Sequence, residues 1–197
     1  MARTRMQAAL PIRVADRITS WSAPLASLHG EIGRLRRRTE CLACAGPVGT
    51  GPNLSLAVEM AAALGLNPPR PAGHTDRTPL SDYAHWLAQI TTALGKIGQD
   101  IALMAQQGLN DIDLDGGGKS SAMPHKANPI RAEALVTLAR FNATLLPGMY
   151  QVHEQERSGI SWALEWLMLP QMAEATGASL SNAEALLAQI KSIGSPR

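Results

Sequence analysis

Aromatic residues, cysteine, net charge and long apolar runs are all scarce in this sequence, and each scarcity excludes something. Aromatics make up 4% of the 197 residues, with one phenylalanine. Sandwiches and barrels lean on Tyr, Phe, Val and Thr, so a chain rich in Ala, Leu and Gly is expected to be all-α. The two cysteines, Cys41 and Cys44, form a C-x-x-C. With no second pair to complete a four-ligand zinc site, and no strand-to-helix junction for a redox motif, they read as small buried thiols in a reducing cytoplasm. A formal charge of +2 provides no general attraction for nucleic acid. The one basic run, Arg34, Arg36, Arg37 and Arg38, reads as a solvated helix C-terminus whose cations complement the macrodipole. No stretch approaches the roughly 18 apolar residues of a membrane span, and Met1–Arg5 lacks the apolar core of a signal peptide.

What the chain does have is helical rhythm. Apolar residues recur at Val14, Ile18, Trp21, Leu25, Leu28, Ile32 and Leu35, alternating steps of four and three. The spacing predicts a helix over about 11–38, with a kink or break at Pro24. A second seam runs through Leu87, Ile90, Leu94, Ile97, Ile101 and Met104, with Ser81 and Asp82 placed to cap it. A third helix is expected from Pro129 towards Gln155 on a stripe of Leu138, Phe141 and Leu145, and a fourth over about 162–193 with bends at Pro170 and Gly177. The stretches 45–52, 67–79 and 108–119 read as irregular. Long helices with narrow stripes bury little alone, so a long-helix bundle completed by further copies of the chain is expected.

The chemistry concentrates in residues 115–129, Asp-Gly-Gly-Gly-Lys-Ser-Ser-Ala-Met-Pro-His-Lys-Ala-Asn-Pro. Three glycines suggest a loop that moves. Two hydroxyls follow at Ser120 and Ser121. Asn128 reads as an N-cap and Pro129 as a first helical residue, which turns the positive end of a helix towards the loop beside Lys126. Hydroxyls, an ammonium and a helix N-terminus form a pocket for a carboxylate. A plain Gly-rich connection before a capped helix explains the same residues equally well.

This segment resembles the signature loop of the fumarase/aspartase superfamily, Gly-Ser-Ser-x-Met-Pro-x-Lys-x-Asn-Pro, with Lys119 where the family usually has Gly. The resemblance implies that Ser120 transfers the proton, that Ser121 neighbours it, and that Lys126 and Asn128, with Met123 of the same loop, bind a substrate carboxylate. Arg3-Thr4-Arg5-Met6-Gln7-Ala8-Ala9-Leu10-Pro11 is similar to the family's Thr-x-x-Gln-x-Ala-x-Pro segment. Thr4, Arg5 and Gln7 are thereby implied to approach substrate, with Arg5 where lyases place His and lactonizing enzymes Trp. Gly46-Pro47-Val48-Gly49-Thr50 looks like the family's Gly-rich turn. His74-Thr75-Asp76-Arg77 resembles the His-Thr-Gln-Arg of the 3-carboxy-cis,cis-muconate lactonizing branch. The run of Glu156-Arg157-Ser158, Trp162, Glu165-Trp166 and Leu169-Pro170 matches that branch in spacing. His74 joins the candidate catalytic residues on that basis.

What the resemblance implies is a cofactor-independent and metal-free cycloisomerase of 3-carboxy-cis,cis-muconate, serving protocatechuate catabolism in the cytoplasm as a homotetramer. A fumarate-releasing lyase acting on adenylosuccinate- or argininosuccinate-like substrates, and an inactive helical assembly module, are the alternatives. Members of the family are longer, and the Thr-x-x-Gln segment normally lies well inside them. Residues 1–197 are therefore expected to be the central helical domain alone, without the family's N- and C-terminal domains. Its expected partners are a di- or tricarboxylate substrate, further copies of itself and a chain supplying the missing N-terminal region, with neither nucleic acid nor membrane.

Overall fold

The computed structural model describes residues 1–44, 53–72, 75–119, 122–123, 126–153 and 161–194. Six helices, α1 (Val14–Gly30), α2 (Ile32–Thr39), α3 (Leu54–Leu64), α4 (Thr78–Met104), α5 (Ile130–Met149) and α6 (Ser161–Ala188), form the body. Short strands add three antiparallel ribbons: β1 (Arg3–Thr4) with β2 (Gln7–Ala8), β3 (Ile112–Leu114) with β6 (Ile190–Ile193), and β4 (Gly118–Lys119) with β5 (Ala127–Asn128). The all-α expectation holds. None of the described helices is long and apolar enough to cross a membrane.

Cross-links fix the helix directions. Trp21 Nε1 donates to Asp100 Oδ2 (2.7 Å) and Trp86 Nε1 to the Leu28 carbonyl (2.8 Å), so α1 runs antiparallel to α4. Ser81 Oγ donates to the Met149 carbonyl (3.0 Å) at one end of α5, and Gly98 abuts Ala132 at the other, so α5 is also antiparallel to α4. Asn182 Nδ2 donates to the Arg131 carbonyl (2.7 Å), while Asn142 donates to the Met172 carbonyl, which sets α6 antiparallel to α5. All three ribbons consequently gather at the end where α4 and α6 finish and α5 begins.

The core lies among α4, α5 and α6. The seam from Leu87 to Ile101 is buried as its spacing requires, with Ile101 fully enclosed. Gly95 and Gly98 let α4 and α5 approach closely, because a Cβ on Gly98 would sit 2.4 Å from the Ala132 carbonyl oxygen and 2.9 Å from Leu135 Cβ. Leu135 and Leu186 are fully enclosed near this contact, and Met149 and Met172 in a second cluster towards the start of α4, each worth about 2 kcal/mol of transfer free energy.

Several sequence expectations are corrected. Pro24 lies inside α1, and the break falls at Gly30–Glu31, where the glycine weakens the helix. Of the first seam only Trp21 and Leu35 are buried, whereas Val14 and Ile18 remain exposed. Helix α4 begins at Thr78, because the Asp76 carboxylate accepts from Thr78 N (3.0 Å). Ser81 is instead buried, and Asp82 pairs with Arg38. Helix α5 ends at Met149, not Gln155, and buries Ala132, Leu135, Asn142 and Met149, leaving Phe141 exposed. Polar Asn142 in the buried row disguised that stripe. Its Nδ2 donates to the Met172 carbonyl (3.2 Å) and Thr176 Oγ1 (3.0 Å), with Oδ1 unpaired among the described residues. Helix α6 stops at Ala188 because residues 190–193 pair with β3.

Helix α3 was not anticipated. Asn53 caps it, accepting from Ser55 N (3.0 Å) and Leu56 N (3.3 Å), and Gly65 closes it at φ 67°. Only Ala57 and Ala61 are buried on it. Its large apolar residues surround the axis and give no one-sided stripe. Cys41 and Cys44 are half-buried free thiols, more exposed than expected.

Candidate active-site segments

The signature segment is organised by the β4–β5 ribbon. Gly118 pairs with Asn128 and Lys119 with Ala127, which brings the two sides of the signature segment together. Gly116 (φ 87°) and Gly117 (φ 129°) occupy conformations that side chains resist, and a Cβ on Gly118 would lie 2.2 Å from Ile130 Cδ1. The glycine run thus has a steric explanation at every position and needs no moving loop to account for it. Lys119 takes extended, paired backbone, which any L-residue adopts.

Ser120 and Ser121 lie outside the described residues. Around them, Met123 is 41% exposed and its carbonyl accepts from Lys126 N (2.9 Å). Lys126 is exposed, and its ammonium makes no ion pair among the described residues. Asn128 is not the N-cap that was expected: it is half-buried in β5, and Pro129 takes the cap position without a side-chain hydrogen bond. The first amide groups of α5 therefore have no side-chain cap, and the positive end of the helix stands one ribbon away from Lys126.

Thr4, Arg5 and Gln7 belong to the β1–β2 hairpin. Thr4 pairs with Gln7, and Arg5 and Met6 form its two-residue turn at φ 48° and 64°. Such turns favour Asn and Gly, so this one holds two side chains against a conformational preference. Arg3 Nε donates to Asp111 Oδ2 (2.8 Å) and ties the hairpin to the segment after α4. Both hairpins are thus at one end of the bundle, although no hydrogen bond or ion pair among the described residues joins them.

His74 also lies outside the described residues, but its neighbours belong to the opposite end. Asp76 pairs with Arg70 (2.7 Å) and accepts from the Thr78 amide just ahead of α4, and burial raises its carboxyl pKa less than hydrogen bonds from Thr78 and the Arg70 charge lower it. Arg77 makes two hydrogen bonds to Glu165, which is 7% exposed. The 27 residues of α4 separate this end from the signature ribbon by about 40 Å. One copy of the chain therefore cannot bring the two together. The Arg77–Glu165 pair carried no signal of its own, since 88 residues separate the partners. Among the described residues no group of His, Cys, Asp and Glu is arranged to hold a metal ion.

A family model described as a lyase matches residues 1–143, and the chain belongs to that family, the fumarase/aspartase superfamily. It is 32% identical over 192 residues to the 3-carboxy-cis,cis-muconate cycloisomerase of Acinetobacter baylyi, a match covering 92% of this chain and 43% of that protein. It is 29% identical over 200 residues to the N-acetyl-S-(2-succino)cysteine lyase of Dickeya dadantii, covering 94% and 43%. Among solved structures it resembles the 3-carboxy-cis,cis-muconate lactonizing enzyme from Pseudomonas putida, with a TM-score of 0.86 and 27% identity over 96% of this chain and 44% of that one. The chain thus spans less than half the length of these relatives.

Proposed function

We propose that the chain is the central helical portion of a cycloisomerase acting on 3-carboxy-cis,cis-muconate. The observation that carries this is the signature ribbon, which holds Lys126, without an ion pair among the described residues, beside the start of α5. In the reaction one muconate carboxylate forms a C–O bond to an alkene carbon of the same molecule. The alkene electron pair moves to the carbon next to a second carboxylate, which delocalises it, and that carbon takes a proton. No atom is lost and none is oxidised, so the step balances without a redox partner.

An intermediate with two negative charges on one carboxyl group gains most from cations and N–H donors that tighten on it. Lys126 and the α5 amides supply such groups, Asn128 an amide, and Ser120 the proton. Asp76 and Arg77, at the far end of α4 from the ribbon, reach a site of this kind only from another copy. The second reading, a lyase that releases fumarate, draws on the similarity to the succinocysteine lyase.

The test is ultraviolet absorbance of 3-carboxymuconate with the purified chain, alone and with a chain supplying the family's preceding region, with fumarate release measured beside it. Loss of muconate absorbance supports the proposal, fumarate release supports the lyase, and silence in both leaves an assembly module. In the active preparation Ser120→Ala lowers turnover roughly 10³-fold with the helical circular dichroism intact. Unchanged lactonization overturns the role of Ser120.

A further inference from the structure

The C-x-x-C pair is the motif that the proposed activity leaves unused. Cys41 and Cys44 are both free and half-buried, so reagents in solution reach them. A catalytic redox motif would place the pair where a strand enters a helix, and here Cys41 instead follows the last turn of α2. A pair that only takes up and returns oxidation needs less: access, and the reach of one sulfur to the other.

Backbone contacts hold one cysteine and leave the other free to turn. Asn67, just past α3, donates to the Glu40 carbonyl from its backbone N (2.8 Å) and from Nδ2 (3.0 Å), and its own carbonyl accepts from Leu42 N (2.9 Å). Cys41 sits between these bonds, and its thiol donates to the Arg37 carbonyl (3.4 Å) at the end of α2. Neither Ala43 nor Cys44 makes a hydrogen bond among the described residues. A disulfide needs Cα atoms about 4.4–6.8 Å apart, and one turn through Leu42 and Ala43 brings its ends within about 7 Å. Charge then favours one kind of reagent. Arg36 pairs with Glu40 (2.7 Å) and Arg38 with Asp82, whereas Arg37 is exposed and without an ion pair among the described residues. An anionic disulfide thus meets an unmatched guanidinium one helical turn before Cys41.

We propose that Cys41 and Cys44 form a reversible dithiol–disulfide site, oxidised by a small anionic disulfide such as glutathione disulfide. The Cys44 thiolate attacks one sulfur of the reagent, forming a mixed disulfide and releasing the other half as a thiol. Cys41 then attacks Cys44 Sγ, and the second half leaves as a thiol. The two side chains give up two electrons and two protons, and the two released thiols carry them away, so the exchange balances. No residue of the signature ribbon takes part, so the site stands or falls apart from the proposed activity.

The experiment is mass spectrometry of the reduced chain after exposure to glutathione disulfide, followed by tryptic digestion. No Lys or Arg separates the two cysteines, so one peptide holds both. That peptide is expected to lose two hydrogen atoms and carry no glutathione, and dithiothreitol restores both thiols. Phenylarsine oxide, which bridges thiols that reach each other, blocks the change. Cys41→Ser stops the exchange at a glutathione adduct on Cys44, while Cys44→Ser slows it about fivefold. Arg37→Gln slows the reaction of glutathione disulfide about threefold and does not slow that of cationic cystamine. Separate adducts on both cysteines, cross-linked chains, unreactive thiols, two serine variants that behave alike, or equal slowing of both reagents by Arg37→Gln each overturn the proposal.

Discussion

Two carboxylates at the start of α4 show how much a single residue can hold. Glu165 is enclosed and accepts two hydrogen bonds from Arg77, so Glu165→Ala removes both bonds from a largely enclosed guanidinium and empties space in the packed face of α6. A loss of about 3 kcal/mol is expected in urea denaturation. Asp76 acts through its depressed pKa. Its folded value lies below the ordinary 3.8, so its contribution is complete above that value and is lost as the pH falls through the lower, folded pKa. Asp76→Asn should therefore lower the urea midpoint at pH 7, and the gap to the parent should narrow as the pH falls below 3.8. At this scale the sequence conveyed identity better than partnership. Lys126 and Asn128 stand out by their motif, yet Asn128 serves a strand and not a cap, and Arg77 finds Glu165 from a distant helix. Hydrogen bonds between remote residues leave no local periodicity to read.

Helices were legible wherever one face is buried and polar residues fill the other. The α4 seam met that condition along its whole length. In α3 the apolar residues encircle the axis, and in α5 a buried asparagine interrupts the row, so pattern alone misplaced or missed them. The α4–α5 contact yields a contrast between two glycines. Gly98→Ala forces a methyl group against backbone oxygen and should cost about 2 kcal/mol, read as a fall of several degrees in Tm. Gly177 has open space around the added carbon, so in an isolated chain Gly177→Ala should raise stability by up to about 1 kcal/mol through helix propensity.

The molecule as a whole exposes more apolar helix surface than a solitary domain requires. Trp166, Leu180 and Leu187 are separated by multiples of seven along α6 and are 68%, 49% and 47% exposed, on a stripe that flanks the buried face. Ile18 and Val14 add exposed surface on α1. Such two-faced helices suit a larger bundle, and the separation of the two candidate segments along α4 gives association a purpose. Sedimentation should show a species larger than one chain, which Leu180→Glu shifts towards the monomer with the helical signal kept. A monomeric parent would remove that expectation. Asn142 acquires a meaning in this setting. Its amide grips one turn of α6, so sliding α5 by a single turn, about 5.4 Å, would strand a polar group in hydrocarbon. The signature ribbon continues directly into α5, and such a slip would carry Lys126 along by the same step. A side chain deep in the bundle, some three turns from the chemistry, thereby acts as the axial stop that sets how far the ammonium group reaches.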